Sequence, residues 1–361
     1  MLNLFNRKSD GLVAVDISSA AVKLVELGKV RGGFELKSMA VVPLPRDVIV
    51  ENEIIDSMTV TQALQDAIRI ASPDSSDAVF AVSGNALIIK TVNIPLMTEL
   101  ELESAIEFEA DQHIPYDMED VYLDFHILGV SEDGGEMEVV LVACKRDVIE
   151  AYQQVIQEAG LTVKCVDCAV FAVENAIELL VDEINGSAAV GVEDGQPEAS
   201  VHALANIGAN FTNINIMHNG QMAFVRDQFF GGNQLTQEIQ EAHDISFQAA
   251  EQMKLENFSG IDDVAAENYF AALADELVRT LDFYAVRHAD FPVQKLFLSG
   301  GGALVPGTAE QVEQRLGIET KVLDPFSVVK ASPKKFDSDH LKKVGPMMMV
   351  PVGLALRSFD K

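Results

Sequence analysis

The chain is short of base. Against 56 Asp and Glu it carries 26 Lys and Arg in 361 residues, a formal charge of −30. A nucleic-acid binder displaces counterions with a basic face, and there is no excess of base to build one. Attachment to anionic lipid by charge is disfavoured for the same reason. Long apolar runs are missing too. The longest, Gly345 to Leu356, has twelve residues and holds Pro346 and Pro351; a spanning helix needs ~18. Met1 to Asp10 has no apolar core of a secretory leader, so the chain is expected in the cytosol. Cysteine is scarce at three, an odd number that suits a reducing compartment. Cys165 and Cys168 form a lone C-x-x-C without a second pair, which argues against zinc. What is abundant is apolar: 48% of the residues, enough to exclude disorder and fill real cores.

The acid is not evenly spread. The 54 residues from Thr91 to Cys144 hold fourteen acids and no Lys or Arg. A solvated face reads this way, and so does an acidic docking surface for a basic partner.

Periodicity divides the chain into two halves that open alike. Strands are expected at Leu12–Ile17, Val22–Gly28 and Phe34–Val42, with a Gly32-Gly33 turn. A helix at Thr59–Ala71 and strands at Ala78–Val82 and Leu87–Ile94 follow. Thr98-x-x-Glu101 is a capping box, opening a helix whose Leu102, Ala105, Ile106 and Glu109 share one face. Strands Val121–Leu128 and Met137–Cys144, a helix from about Arg146 to Ala159, a strand to Val166 and a helix to about Asp182 complete the half. Asn185–Pro197 reads as a linker. The second half begins with strands Val201–Ile207, Thr212–Met217 and Met222–Gln228, the last two joined across Asn219-Gly220. Helices are expected at Asn233–Ala242, Phe247–Glu256 and Val264–Ala289. Lys295–Leu298 then runs as a strand into Ser299-Gly300-Gly301-Gly302.

Four short motifs could carry chemistry. In the first, a strand delivers Asp16 to a turn of small residues, Ser18, Ser19, Ala20, with Lys23 on the next strand. Small side chains let a polyphosphate approach the backbone, and the carboxylate could hold Mg²⁺ or its water. An ordinary hairpin turn looks the same. The second, Asn206-Ile207-Gly208-Ala209-Asn210-Phe211-Thr212, sits at the same place in the second half. The third is Gly300-Gly301-Gly302-Ala303, where glycine permits close backbone contact with a base or sugar, or serves tight packing alone. The fourth is Glu251-x-x-Lys254, a spacing most often found as a surface ion pair.

Their order along the chain is that of the actin, Hsp70 and sugar-kinase ATPase fold. The chain resembles the PilM family of type IV pilus assembly proteins, itself similar to the cell-division protein FtsA. Val15-Asp16-Ile17-Ser18-Ser19-Ala20-Ala21-Val22-Lys23, Ala105-Ile106-Glu107-Phe108-Glu109-Ala110 and Ile114-Pro115-Tyr116 carry the likeness. So do Leu123-Asp124-Phe125, Phe230-Gly231-Gly232-Asn233-Gln234-Leu235-Thr236 and the closing Gly353-Leu354-Ala355-Leu356-Arg357-Ser358-Phe359.

The resemblance implies an α/β, actin-like (ribonuclease H-like) two-lobed fold with an extra small α+β subdomain in the first lobe. It places a first actin-like subdomain at 1–92 with 164–185 and about 335–361, and an acidic docking subdomain at 93–163. A second actin-like subdomain takes 198–232 with 290–334, and a helical nucleotide-contacting one takes 233–289. Family members bind ATP (or ADP) with Mg between the halves. On that basis Asp16, Ser18, Ser19, Ala20, Lys23, Asn206, Gly208, Ala209, Asn210, Thr212, Gly231, Gly232, Glu251, Lys254, Gly300, Gly301, Gly302 and Ala303 are the expected nucleotide residues, with Asp16 on the metal.

The expected partner is the cytoplasmic N-terminal peptide of PilN, an apolar run followed by arginine, with motor ATPases and the platform protein as further partners. Ile106, Phe108, Ile114, Pro115, Tyr116 and Phe125 are the expected peptide residues, and core packing is the competing role for each. The chain is thus expected at the inner membrane only through a protein. Two departures bear on chemistry. Ser18 and Ser19 replace the usual glycine, and Asn206 stands where the family commonly has Asp. An amide is neither a base nor a charge, so a nucleotide-binding scaffold with weak or no hydrolysis is expected, and an actin-fold ATPase or kinase, or the equivalent scaffold of a related pilus or type II secretion system, is the alternative.

Overall fold

A computed structural model describes residues 11–130, 134–180, 200–219 and 221–359. The expected linker at Asn185–Pro197 lies outside the described residues, as do Met1–Asp10 and Gly220 of the second hairpin.

The first sheet runs in the order β10-β6-β1-β2-β3. These are β1 (Val13–Ile17), β2 (Ala21–Val30), β3 (Gly33–Pro43), β6 (Asp77–Val82) and β10 (Thr162–Cys168). β1 runs parallel to β6, and β6 parallel to β10. The second sheet repeats this order as β13-β12-β11-β14-β15. Its strands are β11 (Val201–Ile207), β12 (Thr212–His218), β13 (Gln221–Gln228), β14 (Lys295–Ser299) and β15 (Glu319–Val322). Here the first strand, β11, pairs antiparallel with its meander neighbour β12 and parallel with the crossover strand β14. The sequence-level hint of a repeated meander is therefore a repeated topology.

The chain divides into two compact units, one of Met1–Leu24 with Met39–Ala169, the other of Val25–Ser38 with Val170–Lys361. In the first, α1 (Ser57–Ala71) starts at an Asp56 side chain that accepts from the Thr59 amide. It buries Val60, Ala63, Leu64, Ala67 and Ala71, the three-and-four spacing of one helical face. That face meets Val13, Val15 and Phe80 of the sheet and Val155 and Ile156 of α3 (Arg146–Glu158).

Inserted between β6 and α3 along the chain is a separate three-stranded sheet. Its order is β7 (Leu87–Pro95), β9 (Glu136–Lys145), β8 (Val121–Val130). α2 (Glu99–Asp111) covers one face, and its capping box forms as expected, with Thr98 and Glu101 bonded reciprocally. Leu102, Ile106 and Ala110 of α2 share a core with Val92, Met137, Val139 and Leu141.

In the second unit, α5 (Gly232–His243), α6 (Phe247–Glu256) and α7 (Asp263–Arg287) pack with the second sheet around Leu235, Ala250, Tyr269, Leu273 and Leu296. The apolar run near the end is a short 3₁₀ turn, Gly345–Met348, followed by a helix at Met349–Leu356. Pro351 sits in the first turn of that helix, where its missing N–H costs nothing. Among the described residues no helix is long and apolar enough to cross a membrane.

Candidate functional site

In the second unit three of the four sequence motifs come together. β11 ends in the Gly208–Phe211 turn, closed by the Gly208 amide donating to the Phe211 carbonyl at 2.8 Å. The first amides of α5 are spent on that turn: Gly232 donates to Gly208 at 2.9 Å and Asn233 to Ala209 at 2.8 Å. A Cβ on Gly231 would lie 2.5 Å from the Ala209 carbonyl oxygen, so only glycine lets the helix start so close. The glycine run after β14 arrives from the other side. Gly300 has φ +85°, and a Cβ there would stand 2.3 Å from the Ile207 carbonyl oxygen. A Cβ on Gly302 would strike the Ile207 side chain. Asn206 accepts from the Ser299 hydroxyl at 3.2 Å, tying the ends of β11 and β14.

Glu251 and Lys254 join this cluster, and they are not a surface pair. Lys254 is buried, with its Nζ 3.0 Å from the Gly232 carbonyl, 2.7 Å from Thr236 Oγ1 and 2.6 Å from Glu251 Oε2. An ammonium has three protons, and these partners take all three. Thr236 in turn donates to Glu251 Oε2 at 2.5 Å. Burial lowers the Lys254 pKa, and the Glu251 carboxylate opposes the shift. Thr236 is the residue that the site expectation left out. It lay in view within the Gly231–Thr236 block, but its link to the Glu-x-x-Lys helix is long-range.

The first unit supplies its own turn. The Ser18 amide and hydroxyl both donate to the Ala21 carbonyl at 3.0 Å, and Ala20 accepts from the Leu44 amide. Lys23 Nζ stands 2.7 Å from Asp16 Oδ2, both side chains 14% exposed. Burial first, then the Asp16 charge, pushes the Tyr152 phenol up.

The expected peptide residues do not share one face. Ile106 and Ile114 are buried in the small core, and Tyr116 and Phe125 pack against it. Phe108 is 74% exposed on the far side of α2, and Pro115 is exposed. Lys145 lies over the Tyr116 ring at 4.9 Å.

The model of the family described as type IV pilus assembly protein PilM matches residues 14–359. The chain belongs to the PilM family. Among solved structures, the one titled PilM-PilN type IV pilus biogenesis complex is similar at 25% identity and a TM-score of 0.83. That match covers 97% of this chain and 99% of that one. The ethanolamine utilization protein EutJ from Carboxydothermus hydrogenoformans shares the fold at 16% identity and a TM-score of 0.54, over 96% and 89% of the two chains. PilM membership assigns a role in type IV pilus assembly, and the fold is the actin-like α/β fold.

Proposed function

We propose that the chain is a nucleotide-binding scaffold of the type IV pilus inner-membrane platform, held there by the cytoplasmic N-terminal peptide of PilN. The observation that carries this is the near end-to-end likeness to the chain solved in a PilM-PilN complex, at 25% identity. Pilus motor ATPases and the platform protein are the further partners in this reading. The docking element is the acidic subdomain, with the exposed Pro115 and the neighbouring Tyr116 as its peptide-facing turn. Membrane attachment then comes through PilN, since an acidic face repels anionic lipid.

In this reading the second unit offers nucleotide the Gly208–Asn210 turn with Gly231, Gly232 and Gly300–Ala303, and the first unit offers the Ser18–Ala20 turn. When bound, ATP supplies a polyphosphate whose charge a divalent ion offsets. Asp16 fits magnesium only in a limited way. It is one carboxylate, already 2.7 Å from Lys23. Among the described residues no group of three or more His, Cys, Asp or Glu is placed to hold a metal. A lone carboxylate suffices where phosphates and waters fill the other positions of Mg²⁺. Asn206 donates or accepts hydrogen bonds but cannot take a proton, so the reading is binding without efficient hydrolysis.

The test is fluorescence anisotropy with a labelled PilN N-terminal peptide. Saturable binding in the micromolar range is expected. No binding at tens of micromolar overturns the scaffold reading.

A further inference from the structure

α2 carries two apolar stripes, and only one is used in folding. Leu102, Ile106 and Ala110 face the small core. Leu100 and Phe108 lie on the other side, about 160° around the helix at ~100° per residue. They are 73% and 74% exposed. Ser104, between them, turns its hydroxyl back to the Leu100 carbonyl at 3.1 Å, so no outward hydroxyl breaks the stripe. Leu96, just before the helix, is 50% exposed.

Acids border this stripe. Glu103, Glu107 and Asp111 run along one flank of α2, between the buried face and the stripe, and are exposed. Among the described residues none of the three forms an ion pair with a base. Two exposed large apolar side chains, two turns apart and edged by unpaired carboxylates, match one kind of surface: an apolar stripe edged by Lys or Arg.

We infer that the outer face of α2 docks a basic amphipathic helix of a protein partner, separately from the PilN-type peptide. A helix is the fitting occupant because the outside of α2 offers no unpaired backbone groups for a strand. Its ridge of side chains over about 12 Å can seat in the groove of a second helix. Anionic lipid is excluded by the same carboxylates. Tyr116 and Phe125 pack on the opposite side of α2, so the two docking faces are distinct.

The probe is a helical peptide of about 18 residues with leucines at three-and-four spacing and flanking lysines, beside a version with glutamates for the lysines. The full chain is compared with Leu100→Ser/Phe108→Ser, which leaves net charge unchanged, and with Glu103→Gln/Glu107→Gln. The lysine peptide is expected to bind the parent in the range of about 1–10 μM and each double variant at least roughly tenfold more weakly. The glutamate peptide is expected not to bind. Equal affinity for the Leu100→Ser/Phe108→Ser chain shows unspecific charge adhesion and overturns the inference. So does a parent that fails to bind below about 100 μM. The PilN peptide, run on the parent and on Leu100→Ser alone, is expected to bind both alike. If it loses affinity on Leu100→Ser, the stripe belongs to the PilN groove and the second partner falls. If it binds neither while the lysine helix binds the parent, the scaffold reading falls and this inference stands.

Discussion

Lys254→Ala tests what the buried ammonium does. In the structure its protons go to the Gly232 carbonyl, Thr236 and Glu251. Removing it strands the Glu251 carboxylate and uncouples the start of α5 from α6. Breaking a fully buried pair costs about 3–5 kcal/mol. Glu251 is 35% exposed, so water recovers part of that, and a loss of about 2–3 kcal/mol is expected. At about 2–4 °C per kcal/mol for a domain of this size, thermal unfolding without nucleotide should fall by roughly 5–10 °C.

Gln252→Ala is the reference on the same helix. Gln252 is exposed and bonds only Glu256, so its loss should stay within about 0.5 kcal/mol. Lys254→Met/Glu251→Gln removes both charges together and should be milder than Lys254→Ala, because no carboxylate is left behind. ATP affinity, followed by calorimetry, should drop more for Lys254→Ala than for Gln252→Ala, through the displaced Gly231-Gly232 turn. The refuting result is a thermal midpoint unchanged without nucleotide together with a large loss of ATP affinity. That would make the ammonium a phosphate ligand and the three internal bonds incidental.

Three further outcomes are expected. Gly300→Ala should destabilise the second unit by several kcal/mol in urea unfolding, since it meets both a positive φ and the Ile207 carbonyl; a change within about 0.5 kcal/mol would refute the packing argument. Burial, and then the Glu178 charge, raises the Glu174 pKa from 4.5 to about 7 against a bond from the Met222 amide. Between those values the native carboxyl keeps a proton that the unfolded chain has lost, so stability should fall as pH rises through that window, by up to about 3 kcal/mol. Glu174→Gln should flatten that slope in urea titrations at about pH 5 and pH 7.5. ATP should bind more weakly in EDTA than in Mg²⁺, because the −30 chain repels a bare polyanion, and Asp16→Asn should shrink that difference; equal affinity in EDTA refutes it.

Local chemistry was readable in the sequence, and long-range chemistry was not. The Thr98/Glu101 capping box, the strand and helix of each meander half, and α6 at Phe247–Glu256 follow from residues within a few positions of each other. The stretch from about 305 to 344 gave no strong period, and its elements are short: a helix at Thr308–Leu316, the four-residue β15 and a helix at Ser338–Val344. The two-residue strands Ile49–Val50 and Glu53–Ile54 turn through Glu51 and Asn52 at positive φ; Asn tolerates that conformation, but Glu gives no sign of it. In α2 the two series Leu102-Ile106-Ala110 and Leu100-Ser104-Phe108 have the same spacing. The first is apolar throughout and meets the sheet, whereas Ser104 interrupts the second. Phe108 stands beside Ile106 among the expected peptide residues through the likeness of the Ala105–Ala110 block, and the structure exposes Phe108 while burying Ile106.

The same distinction bears on how the motifs are understood. Gly231, Gly300 and Gly302 are glycine because protein, not ligand, occupies the place a Cβ would take: Ala209, Ile207 and Asn206 stand there. Lys254 and Lys23 are both engaged by carboxylates of the chain itself. The motif order that led to the actin-like fold is therefore first a record of how each meander is closed. In the reading proposed above, a nucleotide at the Gly208–Asn210 turn meets backbone already bonded into place and a lysine already shared with Glu251. Asn206 also keeps a role in the fold whatever the ligand: its oxygen accepts from Ser299, beside the parallel ladder that already joins β11 to β14.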